Sequence, residues 1–119
     1  MRLRVLALAI LLGMAATTVA AQQTWVAVAD DGGDAVGYAV GMGTREAAEM
    51  TALGECGNGC SVKLVGVARC VAYVRSDIGD ASGYAAGADL DAVRQLAWSD
   101  CNRRVAGNTC RVRAAQCFQ

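Results

Sequence analysis

The chain has 119 residues, with 11 basic and 11 acidic side chains, six cysteines, and neither histidine nor proline. A formally neutral chain is no strongly basic nucleic-acid binder. The lack of histidine removes the commonest general base and a principal zinc ligand.

Residues 1–21 read as a signal peptide. "MRLR" supplies a basic start, "VLALAILLGMAA" an apolar run, and "TTVAA" the small residues that a signal peptidase needs. Cleavage is expected after Ala21, with Ala20 as the alternative, because Val19 and Ala21 occupy the two inspected positions. The apolar run is shorter than the roughly 20 residues that span a bilayer, so no membrane span is expected in the mature form. Losing Arg2 and Arg4 leaves nine basic against eleven acidic residues, a net charge of −2. The expected location is exported, either periplasmic or extracellular, and residues 22–119 form a single domain.

"GDAVGYAVG" at 33–41 returns as "GDASGYAAG" at 79–87. Extending the alignment sets "TREAAEMTALGEC" over "DLDAVRQLAWSDC" and "CSVK" over "CRVR", so the chain is a duplication with repeats 25–70 and 71–117. In the first repeat a strand over 25–29 meets Asp31-Gly32, a hairpin signal, and a second strand runs over 35–41. Thr44 suits a helix N-cap, good helix formers run on to Cys56, Gly57 or Gly59 stops the helix, and a strand follows at 61–67. The second repeat gives strands at 71–75 and 81–87, a helix from Asp89 to Cys101 with Gly107 beyond it, and a strand at 110–117. The predicted fold class is therefore α+β: a ββαβ unit used twice, mainly antiparallel sheet with two helices, about a pseudo-twofold axis.

Period-two alternation puts Gly37, Ala39 and Gly41 on one strand face, and Gly83, Ala85 and Gly87 on its counterpart. Side chains that small admit a close neighbour, expected to be the helix of the same unit, with Tyr38 and Tyr84 pointing the other way. The helices themselves look unlike. Met50 and Leu53 mark a face whose counterparts are Gln95 and Trp98, whereas Leu90, Val93, Leu96 and Ala97 mark another stripe, which predicts unequal packing.

Six cysteines after a signal read as three disulfides rather than a zinc site. Cys110 and Cys117 lie about 23 Å apart along one strand, far beyond bridging distance. Pairing each helix-end cysteine with the start of the next strand gives Cys56–Cys60 and Cys101–Cys110. Cys70–Cys117 then remains, expected to join the two units across the axis. The main alternative pairs every cysteine with its counterpart in the other repeat.

Trp25 opening "WVAVA", the G-Y-A-x-G arm, the "TREAAEMTALGEC" helix and the C-x-V strand, all then repeated, resemble the domain of unknown function 4189 family over residues 25–117. The resemblance implies an exported, cysteine-rich fold and no activity, so it transfers no functional residues.

No catalytic, cofactor-binding or metal-binding residues are expected. "CGNGC" is not the C-x-x-C at a helix start used in thiol exchange, since Cys56 sits at a helix end where the dipole disfavours a thiolate. Asp30, Asp31, Asp34, Asp77 and Asp80 could gather around calcium, but aspartate is also a common turn residue, and that is the preferred reading. Tyr38, Tyr84 and Trp25 are the candidate binding surface, set against a role as core filling. "NRR" at 102–104 and "RVR" at 111–113 read as a solvated helix end. The expected function is a non-catalytic exported domain that binds another macromolecule, an unknown protein or envelope component, with inhibitor or immunity-type proteins as a special case. The alternative is a small secreted enzyme using carboxylates or a redox-active cysteine pair.

Overall fold

Each half of the chain lays down two strands, a helix and a third strand. In the computed structural model, which describes residues 23–78 and 80–119, these are β1 (Trp25–Asp30), β2 (Val36–Met42), α1 (Arg45–Cys56), β3 (Ser61–Val67), β4 (Cys70–Ser76), β5 (Ser82–Gly87), α2 (Leu90–Asn102) and β6 (Cys110–Cys117). The signal-peptide expectation for residues 1–21 lies outside the described residues. Both helices start where their caps predict. The Thr44 hydroxyl accepts from the Ala47 N–H at 3.1 Å, and the Asp89 carboxylate from the Ala92 N–H at 2.9 Å. Gly57 closes α1 at φ +96°, its N–H donating to the Leu53 carbonyl at 3.0 Å.

The strands form two antiparallel three-stranded sheets, ordered β2-β1-β3 and β5-β4-β6. Each helix covers one face of its own sheet, and the other two faces meet, with β1 against β4, β2 against β6 and β3 against β5. The result is four layers, helix-sheet-sheet-helix, related by the expected pseudo-twofold. Alternation along the central strands divides the core accordingly. Val26 and Val28 meet Val71 and Tyr73 between the sheets, while Ala27 and Ala29 face α1, and Ala72 and Val74 face α2.

The small-residue faces receive the helices at backbone contact. A Cβ placed on Gly37 would stand 2.5 Å from the Cys56 nitrogen and closer still to the Ala52 carbonyl oxygen. One on Gly83 would stand 2.6 Å from the Cys101 nitrogen and closer to the Ala97 oxygen. This close approach corrects the expectation of unequal helix packing. The buried Ala48 and Ala52 of α1 match the buried Val93 and Ala97 of α2, and the buried Cys101 matches the partly buried Cys56. Met50 is 73% exposed and Leu96 60% exposed, because a helix lying on a glycine-floored sheet has room beneath it for alanine and not for long side chains.

The bridges are Cys56–Cys60, Cys101–Cys110 and Cys70–Cys117. The first two pin each helix end to the strand that follows. The third does not cross the axis as expected. Cys70 opens β4 and stands directly opposite Cys117 of β6, so the bridge staples neighbouring strands of the second sheet. In the first sheet the matching pair is Trp25 and Val67. The structural repeat thus divides before Cys70, one residue earlier than the sequence alignment places it. With a sequence separation of 47, this bridge restricts the unfolded chain most, by about 4 kcal/mol in the chain-entropy account.

Candidate functional site

Period two carries charge into the layer between the sheets. Along β1 the inward residues are Val26, Val28 and Asp30, and along β4 they are Val71, Tyr73 and Arg75. Asp30 is 2% exposed and Arg75 7% exposed. They hold equivalent places, Asp30 paired with Val36 of β2 and Arg75 with Ser82 of β5. Both reach Gly32 in the first hairpin loop. The Gly32 N–H donates to Asp30 Oδ1 at 3.1 Å, and Arg75 Nη2 donates to the Gly32 carbonyl at 3.0 Å.

The other Asp30 oxygen accepts the hydroxyl of Tyr84, across the unit boundary. Tyr84 stacks on Tyr73 with ring centroids 5.4 Å apart. The outer strands add cations through matching irregularities. β3 and β6 each slip register once against their central strand, leaving Lys63 and Arg113 as the extra residues. Lys63 Nζ stands 3.9 Å from Asp30, and Arg113 Nη2 bonds Asp77 at 2.7 Å. Two clefts open beside this cluster. One, of about 330 Å³, includes Asp30, Lys63, Ser82 and Tyr84 in its walls; the other, of about 440 Å³, is walled by Asp34, Val36, Tyr73, Arg75 and Arg113.

Burial, followed by the Asp30 carboxylate, raises the Tyr84 hydroxyl well above the ordinary value near 10. Below about pH 10 the tyrosine is neutral in both folded and unfolded chains. Above it the unfolded chain ionises first, so stability should fall as pH rises through the alkaline range. Tyr84→Phe should flatten that fall. At neutral pH it should cost about 1.5 kcal/mol, the low end for a bond to a charged acceptor, because Tyr84 is only partly buried. Urea unfolding of both proteins at about pH 8 and about pH 11 checks both effects.

The structure distributes the residues singled out from sequence as follows. Tyr38 and Tyr84 do not form an outward patch; they line the layer between the sheets, Tyr38 donating to the Gln116 side chain at 2.7 Å. Trp25 packs on the α1 side of its sheet, away from both tyrosines. Asp31 accepts from the Gly33 and Ala35 N–H groups of its own turn, at 2.7 and 3.2 Å. Asp77 takes Arg111 at 2.6 Å and Arg113 at 2.7 Å, so the "RVR" cluster is partly paired. Arg103 and Arg104 both meet Asp100. Among the described residues no three acidic or cysteine side chains converge as metal ligands would. All six cysteines are bridged. Arg75 and Lys63 escaped the sequence reading, and Arg113 entered it only as part of a solvated basic cluster. The signal that marks Arg75 is a charged residue at an inward period-two position of an otherwise apolar strand, "CVAYVRS".

These features define a small, disulfide-stapled α+β domain built by duplication. The family described as Domain of unknown function (DUF4189) matches residues 25–117, and the chain belongs to it. No curated protein and no solved structure matches the chain. Three bridges fit an oxidising environment. Among the described residues, no helix is long and apolar enough to cross a membrane.

Proposed function

We propose that the domain is an exported, non-catalytic module that binds another macromolecule, a protein or envelope component, in the periplasm or outside the cell. The observation that carries this reading is the exposed rim of the second unit. β6 is an edge strand, with Arg111, Val112 and Arg113 exposed along it. Trp98 of α2 is 43% exposed and is held at the start of that strand, its indole N–H donating to the Cys110 carbonyl at 3.3 Å. A fixed, half-exposed tryptophan beside arginines on an unpaired strand edge has the composition of an interaction hot spot. The six bridged thiols and the structural partners of Asp30, Asp31 and Asp77 further support this reading.

Affinity capture with the mature protein from its own envelope fraction tests this. One stoichiometric partner is expected, and Trp98→Ala should weaken its retention about 30-fold or more, the effect of losing a hot spot of about 2 kcal/mol. Capture unchanged by Trp98→Ala would remove the rim from consideration. Turnover of a substrate that depends on Asp30, or on reduction of Cys56–Cys60, would replace the proposal with the enzyme alternative.

A further inference from the structure

The two halves place opposite charges at equivalent buried positions, and the described residues answer Asp30 more fully than Arg75. Asp30 has the Gly32 N–H, the Tyr84 hydroxyl and Lys63 around it. Among the described residues Arg75 has one close acceptor, the neutral Gly32 carbonyl, while the Tyr73 hydroxyl and the Asp34 carboxylate beside it also favour its charged form. Its nearest carboxylate, Asp80, stands 3.8 Å away on a fully exposed side chain, where solvent screens it. Of the other two guanidinium nitrogens, Nη1 is buried and meets no acceptor among the described residues. A buried donor left unpaired costs about 1–3 kcal/mol, more when it carries charge. A buried charge calls for a counter-charge.

There is room for one from outside. Arg75 walls the cleft of about 440 Å³ together with Tyr73, Val36, Asp34 and Arg113. Arg113 is set there by the β6 irregularity and stays 45% exposed, with only one of its terminal nitrogens held by Asp77. The Tyr73 hydroxyl stands 3.5 Å from Ser82 Oγ and beside the Arg75 guanidinium. Val36 gives the cleft an apolar wall.

We propose that this cleft binds a carboxylate group, with Arg75 and Arg113 as its donors and the Tyr73 hydroxyl as a third. A planar pair of oxygens matches the guanidinium fork. Asp34 on the cleft wall opposes a phosphate dianion more strongly than a carboxylate monoanion, which selects the lesser charge. Nη1 is out of solvent contact, so seating the ligand turns the guanidinium toward the cleft. The carboxylate could belong to a small molecule or to an acidic side chain of a protein. Binding of a free carboxylate does not require that the domain recognise a macromolecule, so this inference and the proposed function fail separately.

The test is a titration of the oxidised mature protein with acetate against chloride at constant ionic strength, following the Arg75 guanidinium N–H signals by NMR. A saturable shift is expected. Asp34→Asn should tighten binding several-fold and Arg113→Gln should weaken it several-fold; both positions are exposed, so the variants keep the core. A short peptide with one internal glutamate, titrated in parallel, separates the sources: tighter binding than acetate assigns the site to an acidic protein segment, weaker binding to a small carboxylate. No saturation, shifts indifferent to Arg113→Gln, or phosphate binding tighter than acetate would each overturn the proposal.

Discussion

Gly83→Ala is expected to destabilise the domain by about 3 kcal/mol or more, at or above the top of the range for overpacking a well-filled core. The added Cβ would stand 2.6 Å from the Cys101 nitrogen and 3.0 Å from the Ala97 carbonyl carbon. These are backbone atoms of α2, so no side chain can rotate aside, and the whole helix must lift from the sheet. Cys101 resists that lift, since its bridge to Cys110 ties the helix end to β6. Gly37→Ala should behave alike against α1, where the Cys56 nitrogen would lie 2.5 Å from the new carbon. Gly54→Ala supplies the control. Gly54 is exposed in the last turn of α1 with nothing near its Cβ position, so alanine there should stabilise by about 0.5–1 kcal/mol through helix propensity. Urea unfolding of the oxidised proteins compares the three. A Gly83→Ala protein within about 0.5 kcal/mol of wild type would show that the close helix approach is not the reason for glycine.

These glycines show how much the sequence discloses. The strand period is two, so small residues at 37, 39, 83 and 85 declare a shared face, and the caps Thr44 and Asp89 declare where each helix begins. Both inferences are local. The caps hold, and so does the helix-facing surface at Gly37 and Gly83. Gly41, which alternation assigns to the same face, has φ +69° where the β1–β2 register slips, and a Cβ there would meet Phe118 instead of α1. The cysteine pairs were also within reach, because strand rise and helix ends limit which sulfurs can meet. The position of Cys70 was not. Counting three cysteines to a half assigns it to the end of the first unit, whereas its hydrogen-bonded neighbours put it at the start of β4, opposite Cys117. Helix stripes misled for a related reason. Hydrophobicity favours Met50 and Leu96 as buried, but the positions that meet the sheet are Ala48, Ala52, Val93 and Ala97, with Leu53 and Leu90 packing at their edges.

The candidate site was the least legible part. Asp30 sits beside Asp31 and a glycine pair, so it reads as turn chemistry, although its side chain is the last inward residue of β1. Arg75 is its counterpart in β4, but the contacts that make the pair a site come from across the unit boundary: Tyr84 to Asp30 and Arg75 to Gly32. No spacing within one repeat encodes them. Tyr38 and Tyr84 illustrate the same point. Alternation shows that they face away from the helices, but the second sheet that covers them there is visible only in the assembled fold.

The first unit alone, residues 23–69, should fail to fold cooperatively. Its helix, three strands and Cys56–Cys60 bridge are local, yet one whole sheet face depends on the second unit. Val26 and Val28 are completely buried there, and Val36, Tyr38, Val40 and Leu64 are partly covered by the same contact. Exposing the two valines alone forfeits about 3–6 kcal/mol at about 1.5–3 kcal/mol each. A folded chain of that length has roughly 2–7 kcal/mol in total, at about 0.05–0.15 kcal/mol per residue. The loss therefore consumes the stability before the four partly covered side chains are counted. Asp30 would also lose the Tyr84 hydroxyl. The second unit, residues 70–119, keeps two bridges, one of them closing the longest loop, so it should retain more residual structure. Mixing the two oxidised fragments should restore a dispersed amide NMR spectrum, because the face between the sheets is then available to both. A cooperative thermal transition and a dispersed spectrum from residues 23–69 by themselves would show that the unit is self-sufficient and that the shared layer between the sheets is not what holds it.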